Sequence, residues 1–292
     1  MNTGQQQSVQ AYKVLENDTL APGMPGVVTV QQQGMDKSTY NTLDGGLRPQ
    51  VNTRYFTVWV IISQIMGLAV VVMMAVWLSY FHGGFGWTSD YTDHANIKLM
   101  FNYHPLFMTI GIIFLYADGM LVYRVFRNER KIIIKILHAV IQLSVVVFIA
   151  VSLKAVFTNH NASGNPNLYT LHSWIGLTTV ILFGIQWLIG FTMFLFPKAS
   201  ARLRGLYMPI HQFFGVAIFA MAVGTALMGI LEKSIWSIPT YSKKSPEAIL
   251  VNSLGVLILT HGVVVLYIVT RSEYKRQPLP EEESIQLTGS ND

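Results

Sequence analysis

The sequence predicts an all-α membrane protein of six transmembrane helices, with the middle four forming a central four-helix bundle. Three observations carry this. Of 292 residues, 51% are hydrophobic and only 12% are charged, about half the charged share of an average soluble chain. A large soluble fold would lack the charge to cover its surface. Six apolar segments each reach the ~20 residues that cross about 30 Å of hydrocarbon. Lys and Arg gather at alternate ends of those segments, as the positive-inside rule requires.

Residues 1–50 are polar and rich in Gln, Gly, Thr and Asn. They contain no apolar core of the kind a cleavable leader needs, so they read as a disordered tail, and the first span is expected to act as an uncleaved anchor. Tyr12–Leu15 (YKVL) and Tyr40–Leu43 (YNTL) resemble tyrosine-based sorting signals. The membrane domain is expected over 51–271 and a second, acidic tail over 272–292.

The apolar segments run over Tyr55–Tyr80, Tyr103–Tyr123, Ile132–Phe157, Leu171–Phe196, Met208–Leu231 and Ala248–Thr270. All six must be helical, because lipid offers no partner to an open backbone group. Arg48, Arg54, Arg124, Arg127, Arg130, Lys131, Lys135, Lys198, Arg202, Arg204, Arg271, Lys275 and Arg276 fall at one set of ends. Only Lys98, Lys154, Lys233, Lys243 and Lys244 fall at the other. The basic side is therefore expected in the cytosol, with both termini. The sequon at Asn161 lies on the opposite, outer side and is a candidate glycan site.

Four histidines stand at the mouths of the four middle segments: His104, His138, His172 and His211. Ionisable groups inside a membrane are costly and usually functional. Because consecutive spans alternate in direction, His104 and His172 share one face, and His138 and His211 share the other. Each face then offers two imidazoles, no thiolate and no matching carboxylate. The chain has no Cys, which excludes disulfides, thiolate metal centres and covalent haem attachment. Structural zinc wants four ligands. Two trans imidazoles suit a haem iron instead, and they leave no open position for oxygen chemistry. The predicted bundle thus holds two haem b groups, with irons about 15–20 Å apart.

Gly176, Gly215 and Gly111 follow His172, His211 and His104 by four, four and seven residues, which puts them on the ligand face of each helix. They are expected to leave room for a porphyrin. Each ligand's second ring nitrogen is expected to donate to a carbonyl one turn back. Lys135 lies three residues before His138 and is expected to point at the cytosolic haem edge, where it would attract a small anionic reductant. Lys154, Asn159 and His160 stand at the outer mouth as candidates for an oxyanion or metal acceptor. Lys135 and His160 are the candidate catalytic residues, one at each mouth. Asp118 is expected to pair with a cation or to handle protons. His261 reads as packing or interhelical hydrogen bonding. On the residues alone, a quinol-linked dihaem cytochrome b subunit and a His-lined metal-ion transporter remain alternatives.

The blocks MLVYRVFR (120–127), TLHSW (170–174), FNYHP, LKAVFTNHN and MPIH resemble those of the ascorbate-dependent cytochrome b561 family. The resemblance covers roughly Tyr55 to Arg276. It implies a six-helix oxidoreductase with two haem b groups, one on His104 and His172 and the other on His138 and His211. It implies cytosolic ascorbate bound by Arg124, Lys131, Lys135 and Arg204. The outer acceptor, monodehydroascorbate or a ferric chelate, would meet Asn159 and His160. A homodimer in a plasma, endosomal, lysosomal or secretory-vesicle membrane is implied as well. The long amino-terminal tail and Thr170, where Ser is usual, depart from the family pattern.

Overall fold

The computed structural model of the chain describes residues 40–43, 46–49 and 53–277. It divides into two units, Met1–Asn52 and Thr53–Asp292. In the first, β1 (Tyr40–Leu43) pairs antiparallel with β2 (Gly46–Pro49), placing Tyr40 opposite Pro49. Tyr12–Leu15 and the acidic residues from 278 onward lie outside the described residues.

The second unit contains six helices long and apolar enough to cross a membrane: α1 (Phe56–Phe81), α2 (His94–Val125), α3 (Lys131–Ser163), α4 (Leu171–Phe194), α5 (Ala201–Ser237) and α6 (Pro246–Thr270). The pairs α4/α5, α2/α3 and α1/α6 pack most closely, and α6 also packs on α5. The outward faces carry aliphatic stripes at helical spacing. Ile61, Ile65, Leu68 and Val72 line α1, and Ile181, Ile185 and Leu188 line α4. The polar residues turn inward: Ser63, Gln142, Ser152, Thr179, Gln186 and His261 are all buried. This is the pattern of a bundle solvated by lipid, where polar and small residues join helices and large aliphatic ones face out.

Two helices begin well before their apolar segments. α2 begins at His94, where Asp93 caps the backbone N–H of Asn96 at 3.2 Å. α5 begins at Ala201, capped by Ser200 at the N–H of Leu203. Hydropathy marks only the part in hydrocarbon, whereas a helix continues until a capping residue stops it. α4 starts on a full capping box between Thr170 and Ser173. α3 ends on Gly164, whose φ of 70° suits a residue without Cβ.

α2 is interrupted by a π-helical stretch, Thr109–Leu115. The wider turn rotates everything beyond it relative to His104. Gly111 consequently packs against α3, where an added Cβ would lie 2.8 Å from Phe148 Cβ. It serves close helix approach and not the ligand face that the seven-residue spacing implies.

Candidate functional site

The alternating spans bring the four histidines together in two facing pairs. The ring centroids of His104 and His172 lie 6.2 Å apart at 88°, and those of His138 and His211 lie 6.3 Å apart at 71°. A metal–histidine bond of about 2 Å, added to the ~1.1 Å from ring centre to coordinating nitrogen and counted twice, gives about 6.2 Å. Both pairs are spaced for one iron between two imidazoles.

Three of the four rings are fixed through Nδ1. His138 Nδ1 is 2.7 Å from the Gly119 carbonyl, and His172 Nδ1 is 2.9 Å from the Thr225 carbonyl. His104 Nδ1 is 3.0 Å from Ser152 Oγ, whose proton goes to the His104 carbonyl at 3.1 Å. Each acceptor sits on a neighbouring helix, not one turn back on the same helix as the spacing suggested. A main-chain carbonyl has a second lone pair available to a side chain across the interface. A ring that donates through Nδ1 presents Nε2 as its ligating atom. His211 Nδ1 is buried without a partner. Its ring is held instead by Phe194 and Tyr207, at 5.3 and 6.0 Å between centroids, and its carbonyl accepts from Gln186 Nε2 at 2.6 Å.

Two glycines complete the seats. A Cβ on Gly229 would lie 2.6 Å from His172 Cε1, and one on Gly190 would lie 3.0 Å from His211 Cε1. His172 and Gly190 are on α4, and His211 and Gly229 are on α5. In each helix the glycine follows the histidine by eighteen residues, five turns at 3.6 per turn. The antiparallel pair is therefore reciprocal, each helix seating its partner's ring on its own glycine. Sequence reasoning passed over both glycines, although the repeated spacing signals them. Of the glycines it did single out, Gly176 lines the cavity at the His104/His172 pair. Gly215 faces Gln186, and its carbonyl accepts from Tyr116 Oη at 2.9 Å.

On the basic face, Lys135 sits among Lys198, Lys131 and Arg204, three residues from His138. Lys198 joins this cluster from the α4–α5 connection. Arg204 donates to the Ala199 carbonyl in that connection. Arg124 does not join the cluster. It donates to the carbonyls of Arg271 (2.9 Å) and Val269, and so holds the last turn of α6, where carbonyls lack partners. Asp118 accepts from Gln64 Nε2 at 2.7 Å, with an amide as partner in place of the expected cation. His261 is 1% exposed and packs against α1, 3.1 Å from a Cβ built on Gly67.

On the opposite face a cavity opens beside His104 and His172, also lined by Phe101, His160, Lys233 and Trp236. Phe101 lies 6.3 Å from the His104 ring and, nearly parallel, 6.4 Å from the His160 ring. Lys233 Nζ stands 4.5 Å over Phe101. Lys154 is not part of this group; it is exposed and borders a separate cleft with Trp87, Tyr91 and Thr158. Asn159 is buried and donates to the Ile97 carbonyl at 2.8 Å, tying α3 to the start of α2. Successive residues of a helix point about 100° apart, so Asn159 faces α2 while His160 faces the cavity. Nearby, His82 Nε2 is 3.1 Å from Glu247 Oε1. Burial, reinforced by the Lys233 charge, holds that imidazole below the usual histidine range.

Residues 103–237, which carry all four histidines, match the family model for eukaryotic cytochrome b561. The chain is 46% identical over 230 residues to the transmembrane ascorbate-dependent reductase CYB561 of Bos taurus, covering 78% of this chain and 88% of that one. This chain belongs to the cytochrome b561 family. It is also 40% identical over 257 residues to a putative transmembrane ascorbate-dependent reductase CYB561 homolog of Caenorhabditis elegans (84% and 94% covered). Against the plasma membrane ascorbate-dependent reductase CYBRD1 of Xenopus tropicalis it is 41% identical over 234 residues (79% of each). For this cytochrome b561, membership implies haem b. The fit is met by the 6.2 and 6.3 Å ring separations, the glycine seats and the buried, unpartnered Nδ1 of His211.

Proposed function

We propose that the chain is a transmembrane ascorbate-dependent oxidoreductase that carries single electrons between two haem b sites. The observation that carries this is the presence of two facing histidine pairs at opposite ends of one reciprocal helix pair. His138 and His211 would hold haem at the basic, cytosolic face, and His104 and His172 at the outer face. When bound there, haem b would supply a one-electron ferric/ferrous couple, which suits electron transfer.

The chain's own residues do the rest. Gly119, Thr225 and Ser152 orient the rings, and Gly190 and Gly229 give them room. Lys135, with Lys131, Lys198 and Arg204 around it, attracts the ascorbate anion and holds it against the His138 side. His160 and Phe101 form the outer contact for the acceptor. On the cytosolic side one ascorbate monoanion gives an electron to the chain, releases a proton to the cytosol and becomes monodehydroascorbate. On the outer side, one ferric chelate becomes ferrous, or one monodehydroascorbate takes up an electron and a proton to become ascorbate. The ferric chelate is the acceptor we favour. Asn161 is exposed on the outer side and open to glycosylation. The family resemblance supports a homodimer in a plasma, endolysosomal or secretory-vesicle membrane. A metal-ion transporter fits less well: among the described residues no three His, Cys, Asp or Glu side chains gather into a cation site.

The test is a vesicle assay. Purified protein is reconstituted with ascorbate inside and ferric citrate or monodehydroascorbate outside. The expected result is a b-type spectrum reduced by ascorbate, with reduction of the outer acceptor. Lys135→Ala and His160→Ala should each slow turnover, the first at the ascorbate side and the second at the acceptor side. A protein with no Soret band, or one reduced by a short-chain quinol and not by ascorbate, ends the proposal.

A further inference from the structure

Lys233 is a cation with no assigned role, placed where a charge needs a reason. It lies on α5 four residues after Gly229, the glycine that seats the His172 ring, and thus one turn further out on the same helix face. Its side chain is half-buried and lines the same cavity as His104 and His172. Among the described residues it has no ion-pair partner; its neighbour is the face of Phe101, 4.5 Å away. The nearby carboxylates make their hydrogen bonds with other groups. Glu232 accepts from Thr170 Oγ1 at 3.2 Å, and Glu247 accepts from Trp77 Nε1 at 2.9 Å and lies 3.1 Å from His82. Lys98 repels it, and Glu247 attracts it from beyond ion-pair distance. A partly desolvated ammonium beside a repelling cation, with no carboxylate in ion-pair contact among the described residues, gains from an anionic group placed in the cavity.

We propose that Lys233 is the carboxylate clamp of the outer haem, pairing with a propionate of the group held by His104 and His172. This rests on the haem reading of that pair given above. A haem would bring two propionates on one edge, and Lys233 lines the cavity at the His104/His172 pair, one helical turn beyond the glycine that seats His172. A cation at that edge stabilises the reduced iron relative to the oxidised one. An unpaired propionate does the reverse. Lys233 therefore raises the potential of the outer site and helps to keep it downhill from the cytosolic one. The same carboxylate chemistry also exists in an acceptor such as ferric citrate, and the experiment separates the two sources.

Full-length Lys233→Gln, Lys233→Arg and Lys154→Gln are purified with haem and compared with the unmodified protein by potentiometric titration, resonance Raman spectroscopy and ferric citrate kinetics. Lys233→Gln should lower one of the two haem potentials and shift the propionate bending mode, leaving the second haem step in place. Lys233→Arg and Lys154→Gln should titrate like the unmodified protein. Should Lys233→Gln shed its haem, Lys233→Arg decides: a normal titration supports the clamp, and a lowered step overturns it. Unchanged potentials and an unchanged bending mode in Lys233→Gln overturn it as well. A raised KM for ferric citrate with those two unchanged assigns Lys233 to the acceptor instead. An unmodified protein without an ascorbate-reducible spectrum would remove the haem reading itself, an outcome distinct from these.

Discussion

At the scale of single residues, Gly229 and Gly190 matter as much as the rings they support. A methyl group on Gly229 would sit 2.6 Å from His172 Cε1, closer than real Cβ contacts occur, and the ring has no room to retreat without losing the Thr225 carbonyl. Gly229→Ala should therefore remove or displace one of two haem steps and leave the other. Gly184→Ala, where nothing lies within 4 Å of the added carbon, should leave both. Haem-to-protein ratio and the reduced-minus-oxidised spectrum read the outcome; an unaltered spectrum in Gly229→Ala would show that the seat has slack. The four histidines were legible because each is an isolated ionisable group at the mouth of an apolar run. Lys233 and Phe101 were not, because Lys233 meets Phe101, and Phe101 meets His160, across helix interfaces, and that depends on how each helix is rotated. The contacts of Arg124 were illegible for the same reason: a basic residue near a mouth can turn to the ligand or to a frayed helix end, and here the carbonyls of Val269 and Arg271 receive it.

At the scale of elements, the start of α4 fixes where His172 stands. Thr170 Oγ1 accepts from the Ser173 N–H at 3.3 Å, Ser173 Oγ accepts from the Thr170 N–H at 3.1 Å, and Thr170 Oγ1 also donates to Glu232 on α5. The departure from the family's usual Ser at this position keeps the capping hydroxyl. Thr170→Ala should cost about 1 kcal/mol of stability, read as a lower temperature for thermal loss of the Soret band, while Thr170→Ser should be neutral. Equal losses in both variants would mean that the cap is not what holds this end. All six spans could be read from hydropathy, since a lipid-crossing run has to be apolar. The extensions of α2 and α5 could not, because caps outside the hydrocarbon set them. Nor could the π-helical stretch in α2, which no composition marks and which turned Gly111 toward Phe148.

At the scale of the whole molecule, charge is sorted between the two faces. Lys131, Lys135, Lys198 and Arg204 cluster beside the His138/His211 pair, and their field should speed the arrival of an anionic donor. Screening shortens from about 30 Å at 0.01 M salt to about 8 Å at 0.15 M. The rate of reduction by ascorbate at low concentration should thus fall as salt rises, and Lys135→Ala should raise KM more than it lowers kcat and flatten that dependence. A salt-independent rate would mean that the cluster serves membrane orientation alone.

The reciprocal seating of α4 and α5 has a mechanical consequence. Because each rod carries one ring and one notch, sliding either past the other by a single turn, about 5.4 Å, unseats both rings together. On the proposed electron path, neither end could then be disconnected by shear while the other survives, so this pair of helices acts as a single latch for both histidine pairs.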